Sequence, residues 1–322
     1  MLKIPEIKKP GLSLILPSRS NTSTPTTSTS SNYYDSTPKS LTPSNELDDI
    51  PLKNLNNLAE LELMQFDIDS SKEGLIIFKG LYNGIPCYLK IFSNRSNELF
   101  DGLIYEYKVY HLIKELQVHD SLARIHFVPV LDVVMINNKE EIIKLLFSIK
   151  YEDITVRDDM YFYHGRELFN SKDNIFAIIT GDIRVPDLKT ICEEKQLTKK
   201  HLVSLFKGLF YMHKIGIMHN DLHFENILYN SVTEELCFFD FDRSYHTDFG
   251  INESCDNLGL AFSCSSKMND YYKIFEELAK YRKDYPELFQ KIILILKKIK
   301  EERNLSVETI EELEQMGGKR SK

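Results

Sequence analysis

His219, Asp221, His223 and Asn226 fall within eight residues of one another in HNDLHFENILYN (His219–Asn230). Asp240 follows Asn226 by fourteen residues, at the end of the apolar run LCFF. Two carboxylates and a carboxamide at such spacings are the groups that phosphoryl transfer from a nucleoside triphosphate requires. One carboxylate orients the attacking hydroxyl, further oxygens hold Mg²⁺, and a cation from elsewhere holds the phosphates. Mg²⁺ takes oxygen ligands and binds few protein groups when phosphates supply the rest. The competing reading is a solvated connection between a helix and a strand. The elements around the segment must decide.

The helix before it is well marked. LTKKHLVSLFKGLFYMHKIG (197–216) carries Leu202, Leu205, Phe206, Leu209 and Phe210 at helical spacing. Thr198 suits its N-cap and Gly216 the left-handed position past its end. Two short strands follow, NILYN and LCFFDFD (236–242). A hairpin joining them would set Asn226, at the start of the first, beside Asp240, with Asp221 facing both. Upstream, GLIIFKGLYNGIPCYLKIF (74–92) reads as two strands about Asn83-Gly84, since both residues tolerate positive φ. NELFDGLIYEYKVYHLIKEL (97–116) reads as a helix with an apolar stripe of Val109, Leu112, Ile113 and Leu116. FVPVLDVVMI and NIFAIIT read as further strands. Strands first and helices later give an α+β class with two lobes.

These motifs resemble the protein-kinase-like superfamily. Its catalytic loop HxDxxxxN appears as His219-x-Asp221-x4-Asn226, and its DFG motif as Asp240-Phe241-Asp242. The resemblance implies that Asp221 is the catalytic base and that Asn226 and Asp240 bind Mg²⁺. Lys90 in CYLKIF matches the third-strand lysine that holds the ATP phosphates, and Glu106 in YEYKVYHLI matches its helical partner. Asp270 and Asp256 compete for the place of the helix aspartate that braces the catalytic loop. The resemblance covers about residues 61–278. It implies a small β-rich lobe over 49–182, with an insertion at about 137–173, and a helical lobe over 183–322.

The pattern also departs from the family. The phosphate-covering loop DIDSSKEG keeps one glycine, Gly74, where the family has three. Glycine lets backbone approach phosphate closely, so weaker ATP binding is expected, or a contribution from Ser70 and Ser71. Asn220 replaces the arginine of kinases switched on by activation-loop phosphorylation. His223 stands where protein kinases carry a lysine near the transferred phosphate, as in the aminoglycoside and choline kinase branch, and supplies only a partial charge near neutral pH. Asp242 replaces the DFG glycine, and no APE-like motif precedes Asp270.

The leading expectation is an atypical ATP- and Mg²⁺-dependent kinase acting on a protein Ser/Thr hydroxyl. The short passage from Gly181 to Asp221 leaves little room for the helical insertion of small-molecule kinases. His223, Asp242 and the short activation segment support a small-molecule phosphotransferase instead. The sparse glycines support a pseudokinase acting as a binding module.

Composition narrows the field further. A net charge of −8 argues against coating nucleic acid. No apolar run reaches the roughly 18 residues of a membrane span. Five scattered cysteines suit reduced thiols in the cytoplasm or nucleus rather than a disulfide frame. Residues 1–48 hold a Ser/Thr/Pro-rich tail, read as disordered because it has too little apolar surface to offset its ordering entropy. Its three Thr-Pro pairs are incidental or targets of a proline-directed kinase. The sequence leaves the oligomeric state open.

Overall fold

A computed structural model describes residues 53–54, 61–66, 75–93, 98–136, 140, 175–183, 185–247, 266–302 and 304–315. The Ser/Thr/Pro-rich tail, Gly74 with the rest of its loop, Asp256, and all but one residue of the 137–173 segment lie outside this set.

Alternating apolar residues build a six-stranded sheet of order β1-β5-β6-β4-β3-β2. Its strands are β1 (Lys53–Asn54), β2 (Leu61–Phe66), β3 (Leu75–Tyr82), β4 (Ile85–Ser93), β5 (Val130–Ile136) and β6 (Ile175–Gly181). The β3–β4 turn is Asn83-Gly84, at φ 50° and 75°. Two consecutive positive φ values give the turn whose twist matches that of the strands it joins.

The two-residue period sorts this sheet into faces. Ile76, Phe78, Leu89, Ile91, Ala177 and Ile179 pack together on one of them. Phe92, Phe176 and Ile178 pack on the other, with Tyr107, Val109, Tyr110 and Ile113 of helix α1 (Glu98–His119). Lys90 lies two residues before Phe92 and therefore faces α1. A short helix α2 (Ser121–His126), capped by the Asp120 side chain, leads into β5.

After β6 the chain turns to helix. Asp187 caps α3 (Leu188–Glu193), accepting from the Thr190 N–H at 2.6 Å. Thr198 caps α4 (Lys199–Lys214) in a reciprocal box with His201, and Gly216 follows at φ 87°. A side chain at Gly216 would bring its Cβ within 2.5 Å of the Thr247 hydroxyl.

Two small ribbons then frame the loops of interest. β7 (Ile217–Met218) pairs with β10 (Tyr245–His246), and β8 (Ile227–Asn230) with β9 (Glu235–Phe238), both antiparallel. Nested in this way, they bring the segment 219–226 against the segment 239–244. The apolar run expected as strand through Asp242 stops at Phe238, because Asp240 sits at φ 63° and breaks the ladder. Asn226 ends a single 3₁₀ turn (Phe224–Asn226), and the strand begins at Ile227. Helices α5 (Lys267–Lys280), α6 (Pro286–Glu302) and α7 (Val307–Gln315) complete the helical lobe. The architecture is α+β and two-lobed. None of the described helices is long and apolar enough to cross a membrane.

Candidate active site

The sheet side of the site centres on Lys90. Its Nζ lies 2.6 Å from Glu106 Oε2 and 3.3 Å from Asp240 Oδ1. Glu106 is 1% exposed, and such a buried carboxylate is tolerable only with a partner. Burial works against the Lys90 ammonium, but Glu106 and Asp240 outweigh it and hold its pKa above the ordinary lysine value. Burial also pushes the Glu106 carboxyl up. Lys90 pulls it down, while Asp240 and Asp242 add to the rise. At 2.6 Å the ion pair is the state we assign, and the upward push on Glu106 comes first from its burial.

Asp240 is fixed by more than charge. Its backbone N–H donates to the Tyr110 hydroxyl at 3.0 Å. The next residue, Phe241, is fully buried and packs edge-on against Tyr110 and Phe127, and beside His219. Asp240 itself keeps 37% of its side chain exposed.

The helical side is built from backbone. The carboxylate of Asp270, wholly buried in α5, accepts the N–H of His219 at 2.9 Å and that of Asn220 at 2.7 Å. His213 Nε2 donates to it as well, at 2.7 Å. Asp270 thus does the bracing for which two aspartates competed. His219 is buried and donates from Nε2 to the Phe239 carbonyl at 2.9 Å, tying the two loops together. Asn220, at φ 63°, donates its amide to the Arg243 carbonyl at 3.2 Å and accepts from Asn269 at 3.4 Å.

Within this frame Asp221 is 16% exposed. His223 Nε2 lies 3.0 Å from its Oδ1, and Arg243 Nε 3.9 Å from its Oδ2. The Asn226 carboxamide donates to the Asp221 carbonyl at 2.9 Å. That bond fixes which end of the amide is nitrogen and leaves its oxygen as the free acceptor. Asp242 is largely enclosed, and burial, then the Asp240 charge, push its carboxyl up.

Asp240 and Asn226 offer the hard oxygen donors that Mg²⁺ prefers. Beyond burial, the Asp240 charge pushes both Glu106 and Asp242 up, and such neighbouring carboxyls suit a divalent ion beside a polyphosphate. No group of three His, Cys, Asp or Glu among the described residues could hold a metal alone. An ion here therefore draws further ligands from phosphate or water.

Tyr110, Arg243 and Glu277 were not singled out from sequence. Tyr110 lies four residues after Glu106, and Glu277 seven after Asp270. Each pair shares a helix face. That spacing was the available signal.

Residues 177–274 match the family model of the Lipopolysaccharide kinase (Kdo/WaaP) family. That span runs from β6 into α5, and includes Asp221, Asn226, Asp240 and Asp270 but not Lys90 or Glu106. Over 162 residues the chain is also 25% identical to the MAP kinase kinase kinase SSK2 of Saccharomyces cerevisiae. This alignment takes in 49% of the chain and only 9% of that protein. The motif set, the fold and the two matches agree in their similarity to the protein-kinase-like superfamily.

Proposed function

We propose that the protein transfers the γ-phosphoryl group of ATP, with Mg²⁺, to a hydroxyl acceptor, and that this acceptor is a protein Ser or Thr. The observation that carries this reading is Lys90, whose ammonium joins α1 through Glu106 to the segment after β9 through Asp240. A purely structural lysine does not need two acidic partners from different lobes.

In this reading Lys90 holds the phosphates and Glu106 holds Lys90. Asn226 and Asp240 hold Mg²⁺, which when bound neutralises charge on the phosphate oxygens. Asp221 positions the acceptor hydroxyl and takes its proton as the oxygen attacks the γ-phosphorus. His223 occupies Asp221 Oδ1, so Oδ2, which has Arg243 Nε at 3.9 Å, is the oxygen assigned to that proton. His223 adds a donor beside the transferred group. Asp240, Lys90 and Asp221 act chiefly by position and charge, which is most of what this chemistry requires.

The protein acceptor draws support from the match to a kinase named for acting on another kinase, and from the single short helix α3 between β6 and α4. A sugar hydroxyl is the second reading. It is favoured by the name of the matching family and by His223 in place of lysine. The described cysteines, Cys87, Cys192 and Cys237, are buried and unbridged, in keeping with a reducing compartment such as cytosol or nucleus.

Radiolabelled ATP offered separately to protein mixtures and to sugar pools tests both readings. Label entering protein in a Mg²⁺-dependent way supports the first, and label entering only sugars replaces it with the second. No transfer, together with no rise in melting temperature on adding Mg-ATP, leaves a binding module.

A further inference from the structure

Helix α5 presents two carboxylates to the catalytic loop. Asp270 and Glu277 are seven residues apart, about two turns along one face, and Ile274 between them is fully buried. Asp270 accepts the backbone at the start of the loop. Glu277, 7% exposed, meets a side chain at its other end, with Oε1 3.3 Å from His223 Nδ1. Lys280, one turn on, also pairs with Glu277 from a largely exposed position.

Lys280 alone would satisfy a carboxylate that served only the fold. The far edge of the histidine argues otherwise. His223 Nε2 reaches Asp221 Oδ1 at 3.0 Å, so the ring is clamped between two carboxylates. Each ring nitrogen thus faces one carboxylate. A lysine at this place would need no such clamp, because an ammonium is a rotatable point charge. An imidazole is planar, with its two nitrogens set in fixed directions, and has to be aimed.

We propose that Glu277 is a positioning residue, which holds the His223 ring edge-on to Asp221 and so sets which Asp221 oxygen faces the acceptor hydroxyl. The proposal rests on the reading of Asp221 as the base. It deepens that reading by making the helix that braces the loop backbone also aim its side chains.

A double-mutant cycle of E277Q and H223A, read as kcat and KM for Mg-ATP-dependent transfer, tests it. E277Q is expected to lower kcat about tenfold and to leave the KM for ATP within about twofold, because a displaced positioning group costs rate rather than nucleotide binding. H223A is expected to cost as much or more, and the double variant no more than H223A. Losses that multiply in full overturn the proposal, as does an E277Q variant that melts lower with kcat unchanged. If E277Q does not fold, E277D keeps the charge but withdraws it, and the same cycle applies.

Long-range ¹⁵N–¹H spectra of labelled histidine supply a readout independent of turnover. The His223 ring signals should move in E277Q, and unmoved signals overturn the clamp. A wild-type protein without turnover defeats the phosphotransfer reading, whereas an active wild type with a silent E277Q defeats only this inference.

Discussion

On the sheet side of the site, Lys90 meets Glu106 and Asp240 through side-chain charge reaching across three separate elements. On the helical side, the loop from His219 to Asn226 is held mainly through its own backbone, with the wholly buried Asp270 accepting two successive amides. The two aspartates summarise the contrast. Asp270 takes three donors and has no access to solvent, while Asp240 sits on left-handed backbone, pairs with Lys90 and keeps 37% of its side chain exposed. The first serves the fold, and the second is the one that the proposed function assigns to a ligand. The helical side is therefore held by buried backbone contacts, and the sheet side by side-chain charge.

Substitutions can break this contrast. The largest effect on turnover is expected at the ligand-facing acids. D240N and D221N should each slow Mg-ATP turnover by about three orders of magnitude, since charge and position carry the reaction. The melting temperature should stay close to wild type for D240N. D221N should still bind nucleotide, as shown by a retained Mg-ATP shift in melting temperature. A D240N protein that loses its fold would erase the distinction between the two aspartates.

The next largest effect is structural. D270A removes the acceptor of three buried donors, and breaking such a buried charged network costs about 3–5 kcal/mol. Chemical denaturation should show the loss directly. If D270A unfolds at wild-type denaturant concentrations, the loop does not depend on that carboxylate.

Smaller changes sharpen the contrast. E106Q keeps the shape of its side chain but strips Lys90 of its closest charge, and should lower kcat/KM for ATP about thirtyfold, with calorimetry showing weaker nucleotide binding. Y110F keeps the ring packed on Phe241 and removes only the acceptor for the Asp240 N–H. It should cost about 1 kcal/mol in stability and a few-fold in turnover.

Much of this organisation was legible in the sequence because it rests on local chemistry. Asn83-Gly84 dictated a tight hairpin, Thr198 a helix start, and Gly216 a left-handed exit. The apolar period of β4 gave the face on which Lys90 lies. Spacing alone also drew attention to Asp221, Asn226 and Asp240. The break at Asp240 was not legible, because LCFFDFD is as apolar as a strand and nothing local announces a positive φ at an aspartate. Nor was the choice between Asp270 and Asp256, since a brace is defined by what it accepts across about fifty residues of chain. Tyr110 and Glu277 escaped notice for the same reason, as each acts on a residue of another element.

Asn220 stands where a cation would answer to an added phosphate. Its neutral amide instead fastens the chain just after Asp242, through the Arg243 carbonyl, and is itself gripped by Asn269. A fastening without net charge is indifferent to ionic strength and to the phosphorylation of nearby hydroxyls. On the proposed function, a phosphate added near Asn220 is therefore not expected to switch the site.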